Sequence, residues 1–251
     1  MKTALKVKLP VLIVFCLVTL ASSAQFDVSK IELGADVATF IYQGDLTPSR
    51  LGSFKTMKLG FGIYGSYKLS KILFLKTSFV FGGLKGDESR YSTPAYRQKR
   101  NLKFKSPVTE ISESIVWNIL PPASEGGPKL TPYISAGVGY AFLHITRDYS
   151  NFDTARFPNE SIIAAGLRAD TAHNPPKGIL VFPVTAGVRY AFAKNLSLNL
   201  ATTYRLSSTD YLDGFSQAAN PAKKDNFFTN SIGLIYSFGK STMIKCPTVK
   251  F

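Results

Sequence analysis

Cysteine is almost missing from this chain, with Cys16 and Cys246 the only two in 251 residues. Lys2, Lys6 and Lys8, the apolar run Leu9 to Leu20 and the small residues Ser22-Ser23-Ala24 together predict a secretory leader, residues 1–24, cut after Ala24. Cys16 lies inside that leader and follows Val14-Phe15, with no small residue before it, which argues against lipidation. Cys246 would then stand alone, excluding a disulfide within the mature chain. Long apolar runs are also lacking: after residue 24 no stretch approaches the roughly 18 residues of a membrane-spanning helix, and 3.6-residue periodicity is nearly absent.

Groups that carry chemistry are equally sparse. The two histidines, His144 and His173, lie near Asp148, Ser150, Asp153 and Asp170, but no spacing there fixes a nucleophile, base and orienting acid. Two scattered histidines and Cys246 give no metal-ligand pattern. The GxG pairs at Gly60/Gly62 and Gly137/Gly139 sit inside apolar alternations, where no phosphate would be cradled. The sequence therefore predicts no catalytic, cofactor or metal site and no small-molecule substrate. Acidic residues number 16 against 30 Lys and Arg. The formal charge of +14, less the three leader lysines, leaves +11, which suits anionic surfaces such as lipid phosphates or acidic partners.

What the chain does have is alternation. "NSIGLIYSFG", Asn230 to Gly239, sets Ile232, Leu234, Tyr236 and Phe238 against Ser231, Gly233, Ile235 and Ser237. A side-chain period of two is a strand with two unlike faces. Seven more such runs precede it, beginning near Lys30, Lys58, Leu73, Asn101, Thr131, Ile179 and Leu196, and the fourth changes phase near Pro107. The joins alternate in length. "LSKI", "PPASEGGPKL" and "AKN" are short; Gln43 to Met57, Lys85 to Arg100, Arg147 to Lys177 and Asp210 to Asn226 are long and polar.

That sorting matches an eight-stranded antiparallel up-and-down transmembrane barrel with short periplasmic turns and long outer loops. A secreted sandwich has no reason to sort its loops by length. The expected organisation is a leader over 1–24, an outer-membrane barrel over 25–239 and a periplasmic tail over 240–251. Both mature termini are then periplasmic, and lipid is the first partner. The apolar face should meet hydrocarbon, and Phe40, Tyr42, Tyr67, Trp117, Tyr190, Phe192, Tyr236 and Phe238 should form girdles at the membrane interfaces. Eight strands enclose a tube that side chains can fill, and the inward face carries Glu32, Asp36 and Glu110 with Lys58, Lys68, Lys76, Arg189 and Arg205. These are expected to pair and block the lumen. Glu113 breaks the pattern by falling on the lipid face with Ile111, Ile115 and Trp117, which places it at a headgroup level or against a partner protein.

The basic loop "KGDESRYSTPAYRQKRN" suits the phosphates of surface lipid or plain solvation; nucleic acid is no target for an outer-surface loop. The segments "YQGDLTP", "RNLKFKSPVTEISESIVWNI", "TPYISAGVGYAF", "FPVTAGVRYAF" and "STDYLDGFS" resemble the small outer-membrane barrels of Bacteroidota that include PorG of the type IX secretion system. The resemblance singles out Gly44, Asp45, Arg100, Asn101, Asp210, Tyr211 and Asp213. It implies a non-enzymatic anchor or scaffold touching a periplasmic ring lipoprotein. Asp45, Asp210 and Asp213 are expected to cap turns, and Arg100 to pair with one of them across two loops. The chain departs from the family pattern in its third loop, "NESIIAAGLRADTAHNPP", and at Gly214 after Asp213. "DTA" at Asp153 and Asp170 looks like an O-glycan acceptor pattern of that phylum. The alternative role is a free-standing structural or lipid-binding barrel of the OmpA type.

Overall fold

A computed structural model describes residues 27–49, 52–220 and 224–239. The expected leader and the expected tail with Cys246 lie outside the described residues. Eight long strands form the wall: β1 (Ile31–Gln43), β2 (Lys58–Lys68), β3 (Leu73–Asp87), β4 (Lys103–Asn118), β5 (Leu130–Leu143), β7 (Gly178–Ala191), β8 (Leu196–Ser207) and β9 (Asn226–Ser237). A short ninth strand, β6 (Thr146–Asp148), extends one edge by pairing with β4 beyond the end of β5. Each wall strand is antiparallel to both neighbours, and β9 closes onto β1.

The stagger of the barrel follows from the registers. Starting at Ile31 and stepping through Tyr67, Leu75, Ile115, Ala136, Val184, Tyr204 and Phe228, the path returns to β1 at Ile41, ten residues along. Eight strands with that shear tilt about 40° from the barrel axis, given a rise of about 3.3 Å per residue and a spacing of about 4.8 Å. Closure pairs each wall strand with a neighbour on both sides, so no free strand edge is left along the hydrocarbon.

Alternation takes the inverted sense. Ile232, Leu234 and Tyr236 are 48%, 50% and 43% exposed on the outside, while Ile235 between them is 2% exposed inside. The outer face is a belt of Leu, Ile, Val, Phe and Tyr around the whole wall. In water such a surface would be far larger than the few hundred Å² that soluble monomers tolerate. In a bilayer it is the required surface, so the molecule is a transmembrane barrel. Tyr67, Trp117, Tyr190, Tyr236 and Phe238 ring its short-turn end on the outside, as girdle residues should.

Three expectations change. Phe40 and Tyr42 do not join a girdle: both are 1% exposed and point inward, because near the long loops the lumen is packed with aromatics instead of charges. Phe40 stacks with Phe227, and Tyr42 meets Phe104 edge to face. Gly82 makes room for this, since a Cβ there would lie 2.3 Å from the Phe40 ring. Gly34 clears Tyr64 in the same way lower down, at 2.2 Å.

The phase slip at Pro107 does not occur either. β4 alternates unbroken from buried Phe104 to buried Asn118, and Pro107 takes an outward place opposite Gly83. Finally, the loops hold helices that the all-β reading omitted: α1 (Tyr96–Arg100) and α2 (Ile162–Ala172). Ser161 caps α2 by accepting from the Ala164 N–H.

Candidate functional site: a plugged lumen and a braced cap

Two ion pairs cross the lumen at different heights. Arg189 on β7 donates from Nη1 to Glu32 Oε2 on β1 at 2.8 Å, and Ser237 Oγ bonds the other carboxylate oxygen at 3.1 Å. The Arg189 guanidinium lies over the rings of Phe74 and Tyr133, 5.5 and 5.1 Å from their centroids. Nearer the long loops, Arg205 donates from Nε to Glu110 Oε2 at 2.5 Å and from Nη1 to Thr229 Oγ1 at 2.9 Å. Each pair sits in low dielectric with its charge compensated, which holds two opposite walls at fixed separation.

Between the two pairs remains a polar void of about 40 Å³ lined by Asp36, Lys76 and inward serines. A space of that size holds roughly a water molecule or two. Lys76 lies over the Tyr64 ring at 5.3 Å. Lys68 leaves the lumen axis to bond Glu125 of the 119–129 turn at 2.5 Å, pinning that turn to β2. Lys58 is exposed at the rim, so the interior set closes without it.

At the opposite end the long loops form a cap. Glu88, 0% exposed, takes hydrogen bonds from Arg97 Nη1 at 3.0 Å, from Arg100 Nε and Nη2, and from the Leu102 N–H. Arg97 also reaches the carbonyls of Asp45 and Thr47, and Arg100 that of Ala218. One buried carboxylate thereby ties the second loop to the first and fourth. Asp170 of α2 accepts from the N–H groups of Gln217 and Ala218, joining the third loop to the fourth. Arg147 adds bonds to the carbonyls of Asp170, His173 and Gly214.

The family-motif residues all lie in this cap. Asp45 accepts from the Asn220 N–H, and Asp213 accepts from the Phe215 N–H. Asn101 ends α1 in the left-handed region, φ 51°, a conformation Asn tolerates better than most residues. Arg100 does not pair with a motif aspartate. Its partner is Glu88, which the sequence presents as one more charge in a basic loop; the clue available was an acid followed by two arginines on one short helical turn. Tyr42 Oη lies 2.6 Å from Asp213 Oδ2 and 2.8 Å from Asp225 Oδ1, so its single proton is shared between the two carboxyl groups. Burial pushes both carboxyls well above their ordinary range near 3.8, and Asp213 raises Asp225 further. Tyr211 stacks on His173 with centroids 4.2 Å apart, Asp210 is half-buried, and Gly44 packs tightly against Tyr42 and Asp225.

Glu113 stands on the outer face of β4, four residues from Trp117 and four from Thr109, which is in register with Phe81 and Phe142. At the barrel's tilt that is about 10 Å from either interface, mid-belt instead of headgroup level. Thr77 Oγ1 donates to its Oε2 at 2.7 Å, so the carboxylate is partnered within the wall on one side. His144 lies at the rim, where its backbone N–H meets Ser106 Oγ. Among the described residues no hydrogen bond joins either imidazole to a serine hydroxyl or a carboxylate, and no group of three His, Cys, Asp or Glu is placed to hold a metal.

Residues 7–247 match a protein family described as a domain of unknown function, DUF6089. No curated protein matches the chain by sequence. Among solved structures, Neisserial surface protein A is similar at 16% identity and a TM-score of 0.47, with 83% of this chain and 97% of that chain covered. The attachment invasion locus protein Ail of Yersinia pestis, in complex with the heparin analogue sucrose octasulfate, is similar at 12% identity and a TM-score of 0.44, covering 82% and 96%. The outer membrane protein OprG from Pseudomonas aeruginosa is similar at 11% identity and a TM-score of 0.43, covering 84% and 96%.

Proposed function

The chain belongs to the DUF6089 family, and we propose that it is a non-enzymatic outer-membrane barrel that works as an anchor or scaffold. The observation that carries this reading is the filled lumen: two ion pairs and a layer of aromatics cross it, and the voids left among the described residues there are of about 20 to 40 Å³ each. A pore would need a continuous aqueous path, and a carrier would need a cavity larger than these voids. With transport and substrate turnover unsupported by the interior, the surfaces remain as the working parts.

The expected orientation puts the short turns in the periplasm. Both described ends, Asp27 and Gly239, emerge on that side. The turn over 119–129, held by Lys68 and Glu125, gives that face a fixed shape to present to a partner. Together with the motif resemblance, this supports a contact with a periplasmic ring lipoprotein of type IX secretion. Photo-crosslinkers placed at Lys129 and Lys71 in native membranes test it. Capture of a lipoprotein supports the scaffold; recovery of the uncrosslinked barrel alone removes that partner.

A free-standing structural or lipid-binding barrel of the OmpA type is the second reading. It is favoured by rim lysines that make no ion pair among the described residues, Lys58 and Lys105.

A further inference from the structure

The barrel wall is notched at its outer rim. The β2–β3 ladder ends at Phe61–Phe81, yet β2 goes on pairing with β1 as far as Lys58, and β3 goes on pairing with β4 as far as Asp87–Lys103. On the outward face of β3, Gly83 comes next after Phe81 and brings no side chain to fill the space beside Lys58. The result is an open cleft of about 700 Å³. Its floor is apolar, from Leu59, Phe61 and Phe81 of the lipid-facing belt, and its mouth carries Lys58, Lys105 and His144.

Charge is arranged wastefully there for a protein alone. Lys85 and Lys105 stand directly opposite each other across the β3–β4 ladder, a like-charge juxtaposition that destabilises a sheet. Asp87 takes Lys85 at 3.5 Å, and among the described residues no acid pairs with Lys105. Lys58, by alternation an interior residue, lines the same opening instead. The cations sit just beyond the outer aromatics, the level where lipid headgroups begin.

We propose that this cleft seats a phosphate-bearing lipid of the outer leaflet, with its phosphate between Lys58 and Lys105 and one acyl chain along Leu59, Phe61 and Phe81. The assignment rests on the orientation proposed above, long loops outward. A phosphate supplies the negative charge that the facing lysines lack, and the chain covers aromatic surface already at hydrocarbon depth. The arrangement needs no change in the wall, because the cleft is already open.

The test uses the refolded full-length barrel in detergent, where binding is read without reference to membrane sidedness, with bisphosphorylated lipid A, its dephosphorylated form and inorganic phosphate as separate probes. The expected result is saturable binding of the phosphorylated lipid, weakened at least tenfold by Lys58→Glu with Lys105→Glu, and unaffected by Lys129→Glu at the opposite end. Heat-modifiable gel mobility confirms that each variant is folded. The proposal is overturned if the double variant binds the phosphorylated lipid as well as the wild type, if the dephosphorylated lipid binds equally, or if inorganic phosphate competes at matching concentration.

Discussion

Arg189 and Glu32, 157 residues apart in sequence, meet across the lumen with Nη1 and Oε2 separated by 2.8 Å. Both side chains are buried, and the guanidinium is held between two aromatic rings. The first strand and the sixth wall strand are therefore joined by a bond that only a closed barrel can form. Replacing Arg189 by Leu strands a buried carboxylate, so folding stability should fall by about 3–5 kcal/mol. Adding Glu32→Leu should restore most of that loss. Urea titration in lipid vesicles measures both, and a neutral single variant would show that the pair does not form.

In the cap, Arg100→Ala removes the strongest partner of Glu88 and the bond to Ala218. The second and fourth loops should open together. Trypsin cleavage within 88–102 and 208–225 should accelerate more than about tenfold, the factor that only 1.4 kcal/mol of local opening gives. The barrel below should keep its heat-modifiable mobility. Cleavage confined to one loop would mean that Glu88 does not couple them.

The Asp213 and Asp225 carboxyls, raised by burial around Tyr42, set the pH dependence of the cap. A group whose folded pKa lies above its unfolded value binds more protons when folded. Its contribution to stability is fully present below the unfolded value, near 3.8, and is lost as pH rises through the folded value. Loop resistance to a protease active across the range should therefore be greater at pH 5 than at pH 8. Asp213→Asn with Asp225→Asn should flatten the profile; an unchanged slope would assign it to other groups.

Glu113→Leu replaces a mid-belt carboxylate with an apolar group. If the residue faces only hydrocarbon, vesicle-folded protein should gain roughly 1 kcal/mol, since acids on the lipid face cost less than the basic residues do. A loss of stability in pure lipid would mean that the bond from Thr77 outweighs that cost. A loss of assembly seen only in native membranes would point to a partner against this face.

The period-two pattern made the wall legible because hydrocarbon outside and a narrow lumen inside impose opposite demands on successive residues. Ile232 and Ser231 could be assigned to their sides from sequence for that reason. The pattern fails near the long loops, where the wall rises past the membrane and the lumen is packed with Phe40, Tyr42, Phe104 and Phe227; large apolar residues there no longer mean lipid. The inner charges were legible as a set, but the registers that match Arg189 to Glu32 and Arg205 to Glu110 depend on a ten-residue shear that no single strand records. Glu88 was hidden because net charge says nothing about pairing: two of the basic groups in its loop, Arg97 and Arg100, are consumed inside the cap.

Spin labels placed one at a time from Ser231 to Tyr236 in the vesicle-embedded barrel test the inside-out wall most directly. Accessibility to dissolved oxygen should peak at residues 232, 234 and 236 and fall at 231, 233 and 235, while a water-soluble nickel chelate should reach none of residues 231 to 235. Nickel access at 231, 233 and 235 would mean an open aqueous lumen, and the opposite oxygen phase would mean that the apolar face is a protein core.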